Sequence, residues 1–312
     1  MSIHVFANFV TSFGTAANNR AETEGNITTL QKLLWMGETH SSVSAEAIRF
    51  ALRRLLAGAE GNGTNRAWDE NERVNGWQEP DFKGWDSDKG KTYIDDDLLG
   101  FMKAEAAKSE ADGGDGKGTA DVRRAVLEVT RAVSLTPWSG DVTFNAASPG
   151  ATPSASKGTN KNKNPVPYGT ELHATRYQYG IALTPERLRE KSRAAKAMKA
   201  LCELGTVAGN HGRFLFDFSP DAVVIRITDD PAPRLLYCFD TADSGKTVGA
   251  SALVQRIKSG DIALAELIVG VSDLNSPLAD QLQTAGVKQV VGVKAARDAA
   301  VAAINKQLGV KG

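Results

Sequence analysis

Apolar side chains at every second position mark the first element: Ile3, Val5, Ala7 and Phe9 put residues 2–11 on the period of a strand with one face toward a core. Residues 43–57 change period. Ala45, Ile48, Leu52, Leu55 and Leu56 recur at helical spacing, and Arg49 and Arg53 lie four apart on another face. After a long interruption, Val126, Val129, Thr130 and Val133 predict a β-branched strand over 124–135, and Tyr177, Tyr179, Ile181 and Leu183 alternate through 174–184. Thr184-Pro185-Glu186 then opens a helix, with threonine as N-cap and proline at the first helical position. Its spacing runs to Leu204, and Gly205 ends it. Ala222–Thr228 is a further strand. The order is β-α-β-β-α-β, an α+β chain of ferredoxin-like arrangement. Beyond it, a helix at Ala250–Lys258, short strands and an alanine-rich helix at Lys294–Leu308 predict a further α/β layer.

Two stretches break the pattern. Gly58 to Gly118 combines Trp68, Trp77 and Trp85 with many glycines and the run Asp95-Asp96-Asp97. Apart from a short helical piece around Leu98–Ala107 its periodicity is weak, so it reads as an irregular lobe inserted into the core and anchored by tryptophans. The aspartate run suits a solvated helix start better than a cation site. The second stretch, Pro137 to Pro167, is dense in Pro, Gly, Ser and Asn and carries Lys157, Lys161 and Lys163 in its distal half, the composition of a long loop or extended hairpin arm.

Charge changes the picture only when divided along the chain. The 312 residues hold 37 Lys+Arg and 37 Asp+Glu, a formal net charge of zero that argues against a wholly basic nucleic-acid binder. Counted by segment, residues 60–120 carry 8 basic and 15 acidic side chains, whereas residues 121–215 carry 14 and 7. An acidic block faces a basic block, which suits a subunit that holds polyanion on one face and offers the acidic lobe to a basic neighbour. Cys202 and Cys238 are too few for a disulfide framework and read as small buried hydrophobes. The N-terminus reads as a strand without a signal peptide, and no apolar run approaches the roughly 18 residues of a membrane span, so a cytoplasmic chain with no membrane partner is expected.

Searches for catalytic motifs mostly fail. Ser244-Gly245-Lys246-Thr247 resembles the end of a phosphate-binding loop, but Asp240 stands where the first glycine is required. His4, His40, His173 and His211 are scattered without metal-ligand spacing, and no G-x-S-x-G elbow is present. No catalytic residue, metal or cofactor is predicted.

Three segments suit a sugar-phosphate backbone. Residues 15–26 join Asn18, Asn19 and Arg20 to a flexible glycine directly after the first strand. Residues 38–53 gather His40, Ser42 and Ser44 at a helix start, where free N–H groups favour phosphate, with Arg49 and Arg53 following. Residues 205–214 form a glycine-rich loop that brings Asn210, His211 and Arg213 back to the sheet. Taken alone, the first two are equally well a polar loop and a helix cap, whereas in the third a helix C-cap explains Gly205 but not the rest.

Taken together they carry a resemblance. Phe6-Ala7-Asn8-Phe9-Val10, Asn18-Asn19-Arg20, Gly25-Asn26, Leu30-Gln31-Lys32, Glu38-Thr39-His40 and Val43 to Arg49 resemble the opening of the DevR-type backbone subunits (Cas seven family) of type I CRISPR effector complexes, Cascade, of the type I-B kind. Gly209 to Arg213, Asp217 to Arg226 and Pro233 to Tyr237 are similar to that family's closing strands. The resemblance implies a hand-shaped subunit: an RRM-like palm in three parts (1–58, 121–136 and 173–240), a fingers insertion (59–120), a thumb arm (137–172) and a C-terminal α/β extension (241–312). It implies a non-enzymatic, multi-copy scaffold on CRISPR RNA that displays the spacer to target DNA. Its partners would be neighbouring copies of itself, a five-type cap subunit, the large and small subunits and a six-type guide-processing endonuclease. Asn18, Asn19, Arg20, His40, Ser42, Ser44, Arg49, Arg53, Asn210, His211 and Arg213 would grip the RNA, and Val142, Thr143, Phe144 and Asn145 would form the thumb wedge. The core lacks the aromatic signature of a sequence-reading RRM, in keeping with specificity left to base pairing. Two other readings stand beside it: an RNA-cleaving relative using a loop acid, Asp141 or Glu22, and an RNA-independent scaffold or regulator.

Overall fold

The computed structural model describes residues 2–17, 23–105, 119–147, 166–207 and 215–310, and shows a mixed α+β chain. Its largest sheet runs in the order Val290–Val291, Leu267–Val271, Pro220–Thr228, His4–Thr11, Tyr177–Leu183, Ala132–Ser134, Glu38–Val43, Lys32–Trp35, with Leu127–Val129 also on Tyr177–Leu183. All pairings are antiparallel except that of Leu267–Val271 with Val290–Val291. Helices cover both faces. Against one face lie α1 (Ala45–Leu56), α2 (Ile94–Leu99), α3 (Arg193–Cys202) and the last helix, α6 (Val293–Leu308); α4 (Ser251–Lys258) and α5 (Pro277–Thr284) lie against the other.

That two-sided cover explains the first strand. Val5, Ala7 and Phe9 enter the core beneath α1 and α3, as their alternation predicts, and Phe6 and Val10 enter the second core with α4 and α5. Asn8, between them, is buried and bonded: its amide donates to Gln178 Oε1 at 3.2 Å, and its carbonyl accepts the Tyr237 N–H at 3.1 Å. The C-terminal residues are therefore not a separate layer. They lengthen the sheet by two strands and put helices on both of its faces.

Several predicted boundaries move, each for a local reason. The strand expected over 124–135 is two pieces, Leu127–Val129 and Ala132–Ser134. Between them the Thr130 hydroxyl accepts the Gly180 N–H at 2.8 Å, and Arg131 turns outward. The helix expected from Thr184 is a single 3-10 turn, Pro185–Arg187, and becomes α-helical only at Arg193. The N–H groups of Arg189 and Glu190 point instead at the Asp97 carboxylate, 3.0 and 3.1 Å away. The helical piece expected around Leu98–Ala107 is instead the end of α2 and a strand: α2 (Ile94–Leu99) stops at Gly100 (φ 68°), and Phe101–Glu105 pairs with Thr119–Arg123 as a ribbon. A hairpin with no clear signal in the sequence, Lys32–Trp35 with Glu38–Val43, forms one edge of the sheet. Leu55, expected in the core, is exposed.

The aspartate run is the main correction. Asp95, Asp96 and Asp97 are buried rather than solvated. Asp95 accepts the N–H groups of Asn65 (2.7 Å) and Arg66 (3.1 Å), with Arg53 Nε 3.4 Å away. Asp97 accepts Arg123 at 2.6 Å and Arg193 at 3.0 Å, besides the two N–H groups of the broken helix. Asp96 takes one bond, from the Asn65 amide at 2.9 Å, and burial together with the neighbouring Asp95 charge pushes its carboxyl up to about 7. Buried carboxylates of this kind require partners, and here the partners are the arginines of the core. Burial likewise pushes the thiols of Cys202 and Cys238 up to about 12, as befits cysteines that act as packing groups. No helix among the described residues is long and apolar enough to cross a membrane.

Candidate nucleic-acid interface

A second sheet is built on Val166–Thr175, which runs into Tyr177–Leu183 of the first. One edge takes Val142–Ala147; the other takes Gly14–Ala17 and, in parallel, Ile27–Thr28, itself paired with Thr23–Glu24. Gly169 makes the parallel contact possible: a Cβ there would stand 2.8 Å from Ile27 Cγ1. The hairpin arm and both flanks of the first backbone-tracking segment are thus parts of one sheet.

Asn18, Asn19 and Arg20 lie outside the described residues, as do Asn210, His211 and Arg213. The chain on either side of both loops is placed. Ala16, Ala17, Val207 and Phe216 are buried, and a Cβ on Gly14 would sit 3.2 Å from the Phe216 ring. Gly14, before the first loop, and Phe216, after the second, are therefore in contact, which their separation in sequence does not reveal.

The middle segment behaves differently. Residues 38–43 are strand, and all four side chains from His40 to Val43 are buried. His40 turns inward, its Nδ1 2.7 Å from the Ser134 carbonyl. Ser41, next along, contacts His173 Nδ1 at 2.6 Å and the Tyr177 hydroxyl at 2.7 Å. Burial lowers His173 to about 4, so it is neutral around pH 7. The Ser42 hydroxyl accepts from Arg131 Nη1 at 3.2 Å, and Ser44 caps α1 by accepting the Ala47 N–H. Arg49 and Arg53 point toward the inserted lobe: Arg49 donates to the Leu99 carbonyl at the end of α2, and Arg53 meets Asp95. Arg131 is the exposed cation beside Ser42, and sequence reasoning passed over it. The polar Thr130-Arg131 pair inside a β-branched run was the available signal.

The arm is clamped at its root. Lys32 Nζ lies 2.5 Å from Glu171 and 4.1 Å over the Trp138 ring, whose indole N–H donates to the Leu172 carbonyl at 2.9 Å. Further out, Phe144 stands opposite Gly169 and is 75% exposed, so no side chain faces it across the pair. Val142 and Asn145 pair with Glu171 and Tyr168, and the Asn145 amide donates to the Thr143 hydroxyl at 3.2 Å. Asp141 is exposed at the start of this strand, and Glu22 lies outside the described residues. Among the described residues no three His, Cys, Asp or Glu side chains gather as a metal site.

Proteins of known structure share this fold. The chain superposes over 96% of its length on 99% of a chain of a "CRISPR RNA-guided surveillance complex" (TM-score 0.56, 15% identity). It also superposes over 96% on the whole of a chain of a "CRISPR RNA-guided surveillance complex, pre-nicking" (TM-score 0.54, 13% identity). At such identities the likeness is one of fold. Sequence goes further. The family model "CRISPR-associated negative auto-regulator DevR/Csa2" matches residues 9–204. The "CRISPR-associated protein Cas7/Cst2/DevR" of Myxococcus xanthus (strain DK1622) is 63% identical over 271 residues, 86% of this chain and 87% of that protein. The chain belongs to the DevR/Csa2 family of CRISPR-associated proteins.

Proposed function

We propose that this chain is a non-enzymatic, multi-copy backbone subunit of a Cascade surveillance complex that grips the guide RNA backbone and leaves its bases to pair with target DNA. The observation that carries the reading is the convergence of an exposed hairpin arm and the flanks of two polar loops on one pair of joined sheets, in a DevR/Csa2 family member. In this reading Asn18, Asn19, Arg20, Asn210, His211 and Arg213 contact phosphate and ribose from the two loops. Arg131 does so from the sheet, positioned by the buried Ser42 hydroxyl, and Ser44 and Arg49 hold the adjoining helix start. His40 and Arg53 support these groups from within, and Val142 to Asn145, led by Phe144, form the wedge. The strand order Pro220–Thr228, His4–Thr11, Tyr177–Leu183, Leu127–Ser134, with α1 and α3 on one face, supports a ferredoxin-like palm (1–58, 121–136, 173–240). Residues 59–120 are then its fingers, 137–172 its thumb and 241–312 its extension. The partners are guide RNA, other copies of the chain, and the cap, large, small and guide-processing subunits, all in the cytoplasm.

Co-expression with the neighbouring genes and a CRISPR array tests the proposal. The purified assembly should contain several copies of the chain per guide and a 260/280 nm absorbance ratio typical of a ribonucleoprotein. Arg20→Ala with Arg131→Ala should lower RNA occupancy and flatten its salt dependence. An assembly with one copy that cross-links to no RNA refutes the reading.

A further inference from the structure

Away from that face, α1 and the inserted lobe enclose a cavity of about 440 Å³. One wall is the α1 face formed by Phe50, Arg53, Arg54 and Ala57, which recur at helical spacing. The facing wall is the ribbon Arg66–Asp69 with Val74–Trp77, where Arg66, Trp68 and Asn75 share a face because Trp68 pairs with Asn75.

Three guanidinium groups line this space and no carboxylate does. Arg53 meets the buried Asp95 beneath it. Arg54 has no carboxylate partner among the described residues, and Arg66 leans over the Trp77 ring at 5.2 Å. Asp69, beside Trp68, is turned away and closes the ribbon's own turn by accepting the Asn71 and Glu72 N–H groups. Trp68 is 51% exposed. Cations without carboxylates, set around an open indole and the Phe50 ring, suit a ligand that is both anionic and planar.

We propose that this cavity binds one unpaired nucleotide of a single-stranded nucleic acid, the base stacked on Trp68 and the phosphate held by Arg54 and Arg66. A peptide fits less well. The walls are rich in donors (Arg53, Arg54, Arg66, Trp68) but offer few acceptors beyond Thr64 and Asn75, so an entering peptide leaves most of its N–H groups without partners, whereas a nucleotide carries its charge on oxygens that a guanidinium fork matches. The site is separate from the guide-gripping loops and adds a second contact to whichever strand lies beside the lobe.

The test reads Trp68 itself, so binding elsewhere on the chain does not register. The full chain is labelled with 5-fluorotryptophan, and Trp68→Phe assigns its fluorine resonance among the five tryptophans. Unlabelled tetranucleotides of RNA and of DNA are titrated in separate arms, with inorganic phosphate and an acidic peptide containing phenylalanine as controls. The expected result is a saturable shift of the Trp68 resonance with one or both oligonucleotides. Arg54→Gln with Arg66→Gln should weaken it about ten-fold or more. Comparing the two arms tells which strand the site takes. A Trp68 resonance that ignores both oligonucleotides, or that moves only with the peptide or only with inorganic phosphate, overturns the proposal. Because the readout is local, its failure leaves the guide-binding reading standing, and loss of guide binding leaves this one standing.

Discussion

Replacing Asp97 with asparagine removes one negative charge from a site that four donors share. Asp97 is fully buried; Oδ1 accepts Arg123 Nη2 (2.6 Å) and the Arg189 N–H (3.0 Å), and Oδ2 accepts Arg193 Nη1 (3.0 Å) and the Glu190 N–H (3.1 Å). An asparagine oxygen can serve only one of these pairs, and its amide then faces the other pair donor to donor. Two hydrogen bonds to a charged group are worth about 1.5–3 kcal/mol each. Removing one partner of a buried ion pair costs about 3–5 kcal/mol by the independent route. Some compensation remains, because Arg193 keeps Glu60 at 2.9 Å and Arg123 keeps its place over the Trp85 ring at 4.1 Å. Asp97→Asn should therefore lose about 3–4 kcal/mol and, in a chain of 312 residues, lower the unfolding midpoint by roughly 5 °C. Urea and thermal unfolding at neutral pH measure it, with the exposed Asp88→Asn as a control expected to stay within about 0.5 kcal/mol. Hydrogen exchange over residues 186–193 should quicken, since Asp97 holds that stretch out of helical form. A loss below about 1 kcal/mol, or one matched by the control, refutes the view that these carboxylates dock the lobe.

Asp96 gives a pH signature of opposite sense. Its carboxyl binds a proton more tightly in the folded chain (about 7) than at its ordinary value of 3.8, so the stability it contributes is full below that ordinary value and is lost as pH rises through about 7. Asp96→Asn stays neutral throughout. Its midpoint relative to the parent should rise with pH across that window by roughly 1.4 kcal/mol per unit, and a flat difference sinks the assignment. Phe144→Ala should leave the midpoint of the isolated chain within about 0.5 kcal/mol, because the ring is mostly exposed, while reducing assembly on guide RNA in gel filtration; a large stability loss instead would make it a packing residue. Gly100→Ala should destabilise by more than about 2 kcal/mol, since a Cβ there meets the Arg123 carbonyl at 2.3 Å with φ at 68°; unfolding at the parent's midpoint counts against so tight a turn.

What could be read from sequence was whatever a short period determines. The strands around Phe9, Tyr179 and Val224 and helix α1 follow from local periodicity, and the three strands lie side by side in the large sheet. The errors share one cause. Asp95 to Asp97 look like a solvated helix start because nothing nearby reveals that Arg123 and Arg193, 26 and 96 residues further on, will close over Asp97. The broken helix after Thr184 is the same contact seen from the other side. Arg49 and Arg53 were read beside a phosphate-favouring helix start for the matching reason, since their partners, Leu99 and Asp95, arrive from the inserted lobe. The lobe's ribbon and the hairpin at Lys32–Trp35 had too few residues per strand to establish a period.

The same contacts change the meaning of the charge division. Read along the chain, an acidic block beside a basic one suggested a lobe seeking a basic neighbour. In the fold, Glu60 meets Arg193 and Lys196, Asp97 meets Arg123 and Arg193, and Arg189 donates to the Gly84 carbonyl and lies 4.3 Å over Trp85. Much of the basic block therefore holds this chain's own lobe, and Glu60, Asp95 and Asp97 are already matched by arginines. Among the charges that still face outward are Asp69, Glu70, Glu72, Asp86 and Asp88 with Arg73, Lys89 and Lys91 on the lobe, and Arg131 beside Ser42 on the sheet. Arg123, Arg189 and Arg193 cannot also neutralise phosphate without releasing buried acceptors, a substitution that costs more than a surface contact returns. The proposed polyanion groove therefore draws on cations with no internal carboxylate, Arg131 among them, together with those the sequence places in its loops and arm: Arg20, Arg213, Lys157, Lys161 and Lys163.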